Sequence, residues 1–149
     1  MANVKKVPDG YRTITPFFNI KGCEEAIEFY KKAFGAEVLH IFKIPSGQVM
    51  HAEIQIGDSR ILLSDAMQNP ATSSSTFLYV EDCDSWWKRA TEAGCQVVTP
   101  LADQFWGDRW GLLSDRFGNR WGVGSRIEDV SQDEMRKRAE EAMKRMPAK

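Results

Sequence analysis

The chain has 149 residues, the length of one ordinary domain and enough to bury roughly 70% of its unfolded surface. A hydrophobic content of 42% excludes a disordered chain, and 20 basic against 21 acidic residues exclude an electrostatic drive towards nucleic acid or anionic membranes. No run approaches the roughly 20 apolar residues of a membrane helix, MANVKKVPDG lacks the apolar core of a signal peptide, and Cys23, Cys83 and Cys95 are too few for a disulfide framework or a Cys-rich zinc site, so the expected setting is a reducing cytoplasm.

Residues 17–35 read FFNIKGCEEAIEFYKKAFG, a short apolar strand, a polar turn and an amphipathic helix. In the strand region, alternation puts Ile14, Phe18 and Ile20 on one face and Thr13, Thr15, Phe17 and Asn19 on the other. The helix carries Ala26, Ile27, Phe29, Tyr30, Ala33 and Phe34 at 3.6-residue spacing. Glu24 and Glu25 favour its first turn, and Gly35 is its expected left-handed cap. Three strands follow, over 37–44, 48–56 and 60–64, with turns at 45–47 and 57–58. On 48–56, Met50, Ala52, Ile54 and Ile56 are expected to face the helix. Val49, His51, Glu53 and Gln55 are expected to face away. The polar stretch NPATSSS at 69–75 reads as a linker.

The pattern then repeats. Residues 77–94 read FLYVEDCDSWWKRATEAG, with Cys83 lying 60 residues after Cys23 and Arg120 lying 60 after Arg60. Trp86, Trp87, Ala90 and Ala93 form the expected buried stripe of the second helix, between an N-cap at Asp82 and a stop at Gly94. Strands are expected at 96–99, 110–114 and 120–124, with a long connection ending near Gly107. Asp115 and Gly118 read as turn residues and nothing more, and Trp121 as core. Ser131 to Glu134 form a capping box that opens a charged helix. Its thin stripe of Met135, Ala139, Ala142 and Met143 suits docking on its own domain, docking on a partner, or a solvated tail.

The fold class is therefore α+β, with two strand–helix–three-strand modules whose curved sheets meet in a cup. Residues 1–127 make one domain of two modules, about 11–68 and 74–126, and 128–149 make a helical tail. Two groups of side chains stand out as candidate sites. His51 and Glu53 project the same way, roughly 7 Å apart along the strand. They suit an acid–base pair, two ligands of a metal, or polar residues facing a wet cup or a dimer contact. The segment DQFWGDRWG carries Trp106, Asp108, Arg109 and Trp110, which suit an aromatic wall for planar or cationic ligands or a hydrophobic plug with a surface ion pair. Thr15, Phe17 and Asn19 would join them as ligand contacts from the first strand. Cys23 and Cys83 read as packing residues and His40 as a surface or interface residue.

The motifs EEAIEFYKKAFGAEV, HAEIQIGDSRILLSD and DQFWGDRWGLLSDRFGNRWG, with EDVSQDEMRKRA in the tail, resemble the glyoxalase/bleomycin-resistance/dioxygenase (vicinal oxygen chelate) superfamily over about residues 11–126. Within it they are most similar to the PhnB-like, or demethylubiquinone methyltransferase-like, branch. The resemblance implies two βαβββ modules forming a cupped mixed sheet, a homodimer, and a small molecule bound in the cup. It also implies that catalytic members hold a divalent metal through His, Gln or Glu on the first and last strands of each module. Alignment puts Thr15, Leu62, Thr76 and Gly122 at those positions, none of them a good metal ligand. The leading expectation is a small-molecule binder with no assigned reaction. One alternative is a metal-dependent lyase, isomerase or dioxygenase with a displaced site built on His51, Glu53 and an acid such as Asp65 or one from a partner chain. The other is a structural or regulatory dimer with a vestigial cup. No nucleotide fingerprint or methyl-donor site is present.

Overall fold

The computed structural model describes residues 3–147, so the first two residues of the expected domain and the last two of the expected tail lie outside the described residues. The first module runs β1 (Phe17–Ile20), α1 (Cys23–Phe34), β2 (Glu37–Lys43), β3 (Val49–Ile56) and β4 (Ser59–Asp65). The second runs β5 (Ser74–Tyr79), α2 (Cys83–Ala93), β6 (Gln96–Asp103), β7 (Asp108–Ser114) and β8 (Asn119–Arg126), and α3 (Gln132–Arg145) follows. The strands form two four-stranded sheets, β1-β4-β3-β2 and β5-β8-β7-β6. In each, the strand before the helix pairs in parallel with the last strand, and the remaining pairs are antiparallel. The fold is the expected α+β pair of βαβββ modules.

The 60-residue repeat is a repeat of structure. Phe17 pairs with Leu62 in the first sheet, and Phe77 pairs with Gly122 in the second. Each helix start is also served from the last strand of its own sheet. Gly22, at the N-cap of α1, has no side chain to offer, and the Cys23 N–H donates instead to Asp65 Oδ1 at 2.9 Å. Sixty residues on, the Cys83 N–H donates to Ser125 Oγ at 3.0 Å. These contacts satisfy amides that a helix start leaves without partners.

One helix covers each sheet, and the two helices pack on each other. The shared core is aromatic. Trp121, fully buried on β8, lies 4.6 Å from the Phe34 ring, 5.2 Å from Tyr30 and 5.8 Å from Phe18, all three from the first module. At its centre is Asp115, which the turn at its position explains only in part. Its Oδ2 accepts from Tyr30 Oη at 2.6 Å and from Trp121 Nε1 at 2.9 Å, and its Oδ1 accepts from the Phe117 and Asn119 amides. Burial, and then the Asp115 carboxylate, push the Tyr30 phenol far above its ordinary value.

Four local expectations are corrected. Met50 is exposed and Val49 is fully buried, because a bulge between Phe42 and Lys43 shifts the end of β3 by one residue. Ile14 is exposed, since it precedes β1 and shares none of its alternation. β6 does not stop at Thr99. It continues through Pro100 to Asp103, with a register shift between Thr99 and Ala102, on an edge strand where the missing proline N–H costs no ladder bond. The long connection is thereby reduced to residues 104–107. Here Gly107 (φ +99°) lets Glu128 approach so closely that its carbonyl oxygen lies where a Cβ would stand. The stripe of α2 is only half-buried at Trp86, Trp87 and Ala93. α3 has no buried residue and is tied down by Arg138, which reaches both Glu128 carboxylate oxygens at 2.8 Å and the Phe105 carbonyl at 3.2 Å.

Two predictions follow from the core. Asp115→Ala leaves buried donors of Tyr30 and Trp121 without their acceptor and is expected to cost about 3 kcal/mol or more in urea unfolding, whereas Tyr30→Phe costs about 1 kcal/mol. Burial, aided by Asp65 for Cys23 and by Asp115 for Cys95, pushes both thiols up to about 12. Their stabilisation is present in full below the ordinary thiol value and is lost as pH rises towards the folded one. Ellman's reagent at pH 8 is therefore expected to react slowly with the folded chain and fast in denaturant.

Candidate functional site

Each sheet has one face under its helix and one face open. The two open faces differ in chemistry, although their frames correspond.

On the first sheet the open face sets polar groups among the apolar Phe17, Phe42 and Leu62. β3 contributes His51 and Glu53, both half-buried, with His51 Nε2 lying 3.6 Å from Glu53 Oε1. β2 sets His40 opposite Glu53, and the two imidazole rings, the only two in the chain, stand 6.3 Å apart. The N-terminal segment brings in Tyr11, which the sequence reading did not single out. The Arg60 guanidinium lies 4.9 Å over its ring and donates to the Asp9 carbonyl. The Tyr11 hydroxyl is buried and makes no well-aligned hydrogen bond, yet it is near enough to Glu53 to act on its charge. That hydroxyl, and then His51 and His40, hold the Glu53 carboxyl below the usual range against the opposing effect of burial. Burial and Glu53 in turn push the Tyr11 phenol up. Phe17, 49% exposed, is on β1, where Asn19 accepts a bond from Ser64 Oγ at 2.9 Å.

On the second sheet the open face is aromatic. Phe77 and Tyr79 on β5, 43% and 63% exposed, stand side by side with centroids 4.4 Å apart. Trp110 on β7 lies parallel to Phe77 within 7°, at 6.5 Å, and Trp106 is 5.8 Å from Trp110. Gly122 and Gly124 on β8 run beneath them. A Cβ at Gly122 would lie 2.8 Å from Trp110 Nε1 and 3.0 Å from Phe77, so the rings occupy the space those glycines leave. Asp108 is buried and orders the rim, accepting from Tyr79 Oη at 2.8 Å and from Trp106 Nε1 at 3.0 Å. That bond, with burial, raises the Tyr79 phenol. Trp110 Nε1 is buried without a partner.

Trp106, Asp108 and Trp110 thus share one face, as the DQFWGDRWG segment suggested. Arg109, between Asp108 and Trp110, alternates to the helix side. There its guanidinium binds both oxygens of Asp84 on α2 and reaches Asp103, which raises its pKa further. Phe77 and Tyr79 were missed as site residues, although their spacing in FLYV and the glycine pair two apart in WGVG mark one strand face each.

A cavity of about 370 Å³ adjoins the aromatic face where the N-terminal segment meets β4 and β5. Its walls include Tyr11, Thr15, Arg60, Leu78, Tyr79 and Trp86. Its size is within the range of small-ligand sites.

The metal positions of the resemblance need two adjustments. The register sets Phe17, not Thr15, opposite Leu62, and Phe77, not Thr76, opposite Gly122, so the repeat-related positions are Phe17, Leu62, Phe77 and Gly122. None has a donor atom in its side chain, and a metal held in the usual way does not fit. Asp65 is no substitute, since its Oδ1 takes the Cys23 amide and its Oδ2 takes the Val49 amide. Among the described residues no three His, Cys, Asp or Glu side chains are grouped to hold a metal.

The lowered Glu53 carboxyl contributes stability that is present above its unfolded pKa and is lost as pH falls through the folded one. Tyr11→Phe is expected to move the Glu53 titration upwards, read by carboxyl NMR, and to bring the loss of stability on acidification to a higher pH.

The family model described as Glyoxalase/Bleomycin resistance protein/Dioxygenase superfamily matches residues 14–123. The Mycobacterium bovis protein Mb0911c is 34% identical over 134 residues, spanning 82% of this chain and 88% of its own length. The PhnB protein from Bacillus cereus superimposes with a TM-score of 0.58 at 22% identity, over 78% of this chain and 100% of that one. TnmS3, an antibiotic binding protein from Streptomyces sp. CB03234, does so with a TM-score of 0.59 at 22% identity, over 78% of this chain and 99% of that one. No helix among the described residues is long and apolar enough to cross a membrane. A matching model over most of the chain, and a relative sharing a third of its residues across four-fifths of it, establish that the chain belongs to the Glyoxalase/Bleomycin resistance protein/Dioxygenase superfamily.

Proposed function

We propose that this protein binds a planar, largely apolar small molecule on the aromatic face of its second sheet and does so without a metal at the usual positions. The observation that carries the reading is the cluster of Phe77, Tyr79, Trp106 and Trp110 on one open face above two glycines, beside a cavity of ligand size. Large aromatic side chains exposed together cost free energy in water unless a ligand or partner covers them. The antibiotic-binding description of TnmS3, a protein of the same fold, agrees with this reading.

Thr15 on the cavity wall and Phe17 on the neighbouring open face would extend the contact surface. Arg109 and Asn19 support the frame through their bonds to Asp84 and Ser64. The reading takes residues 1–127 as one domain with a helical tail, working as a homodimer in the cytoplasm. Exposed Phe17, Phe42 and Phe77 on the open faces favour a covering subunit, and three free buried thiols suit a reducing compartment.

A second reading gives His51 and Glu53 an acid–base role on the bound molecule. It is favoured by their 3.6 Å contact and by the buried Tyr11 hydroxyl beside Glu53. A turnover lost in Glu53→Gln with binding intact would support it.

Titration with 9-aminoacridine and related planar compounds, followed by tryptophan fluorescence and thermal shift, tests the main reading. Stabilisation of about 2.7 kcal/mol is expected at a hundredfold excess over Kd. Phe77→Ala is expected to weaken binding about tenfold, and His51→Ala to change it little. No response from any planar compound, with the protein folded, would exclude the reading.

A further inference from the structure

Trp110 Nε1 is a buried donor with no acceptor, and such groups are rare because each costs free energy to desolvate. The neighbouring Phe77 ring does not relieve it. An indole N–H lies in its own ring plane, and that plane is within 7° of the Phe77 plane, so the N–H cannot point into the Phe77 face. The nitrogen is instead placed beside Gly122, 2.8 Å from where a Cβ would stand, and the edge of Phe77 is 3.0 Å from the same point. Every other polar group of this aromatic cluster has its partner. Tyr79 Oη and Trp106 Nε1 both donate to Asp108. Phe77, 43% exposed on an edge strand, lies beside the orphan donor.

We infer that the ligand of the aromatic face carries a hydrogen-bond acceptor, a ring carbonyl oxygen or its equivalent, that displaces the Phe77 edge and accepts from Trp110 Nε1 above Gly122. The inference rests on the proposed binding reading and adds the chemical class of the ligand, a planar aromatic ketone or quinone-like ring system rather than a plain hydrocarbon. Selection arises because a hydrocarbon of the same shape gains the stacking contacts and leaves the indole N–H unpaired.

The test is a matched pair, 9-oxofluorene-2-carboxylate against fluorene-2-carboxylate, titrated calorimetrically into the full chain and into Trp110→Phe, with folding checked by circular dichroism. The expected result is that the wild type prefers the ketone roughly tenfold. Trp110→Phe is expected to reduce the preference to about twofold or less, mainly by weakening the ketone. Equal binding of both compounds by the wild type would overturn the inference and leave the aromatic-binding reading standing. A ketone preference that survives in Trp110→Phe would also overturn it, because the acceptor would then have another donor. Should Trp110→Phe not fold, Gly122→Ala serves in its place, since its methyl group crowds Trp110 Nε1 and Phe77 and is expected to abolish the preference. Failure of both compounds to bind the folded wild type would remove the binding reading and the inference together.

Discussion

The structure depends on one buried carboxylate. Asp115 is on the turn between the last two strands of the second module, yet its partners include Tyr30 from the helix of the first. A carboxylate removed from water is tolerated only when its oxygens are saturated with donors. Here a phenol, an indole and two turn amides saturate them. Asn119 closes the network from below, its Nδ2 donating to Tyr30 Oη at 2.9 Å while its Oδ1 receives the Ser74 amide and hydroxyl at the start of β5. The two halves of the repeat are thereby fastened at a defined angle. Apolar packing of Phe18, Phe34 and Trp121 would hold them together without fixing that angle so narrowly.

Within that frame the modules have kept their geometry and exchanged their chemistry. Trp110 pairs with Ala102 on β6 much as His51 pairs with Phe42 on β2, each on the inner strand of its hairpin, but one face is aromatic and the other mixes polar and apolar groups. The positions where relatives that use a metal are expected to hold it carry two phenylalanines, a leucine and a glycine. Such residues have no chemistry to offer a cation and considerable surface to offer a flat apolar molecule. A poor fit to a cation and a good fit to an apolar ring are therefore two aspects of the same residues.

Much of the fold was legible in the sequence, for specific reasons. Helix periodicity at Ala26, Ile27, Tyr30, Ala33 and Phe34, the glycines after each helix, and the 60-residue spacing of Cys23 and Cys83 are local signals, and the structure follows them. What escaped depended on contacts between distant segments. Asp115 looked like any turn aspartate, because nothing in DRFGN announces a tyrosine 85 residues earlier. Met50 and Val49 exchanged faces because of a bulge in the pairing with β2, which periodicity along β3 alone does not display. Pro100 read as a strand end because its tolerance depends on β6 being at an edge, which only the topology decides. In the candidate site, Trp106, Asp108 and Trp110 could be read from one short segment. Phe77 and Tyr79 come from another strand, and only the assembled sheet brings them over the glycines.

β8 connects these two levels of organisation. Its residues alternate between the core and the open face, so Trp121 and Val123 are buried while Gly122 and Gly124 form the aromatic floor. The indole that donates to Asp115 is therefore next in sequence to the glycine beneath Phe77 and Trp110. Holding Trp121 by a hydrogen bond and three ring contacts fixes the backbone of β8, and with it the height of the floor, to the rigidity of the core. A floor of glycine would otherwise be the most flexible part of a strand. Coupling it to the fully buried Trp121 ties the floor to the core, while Phe77 and Tyr79 on the edge strand stay exposed. That division suits a binding face whose cost of ordering is met mostly before any ligand arrives.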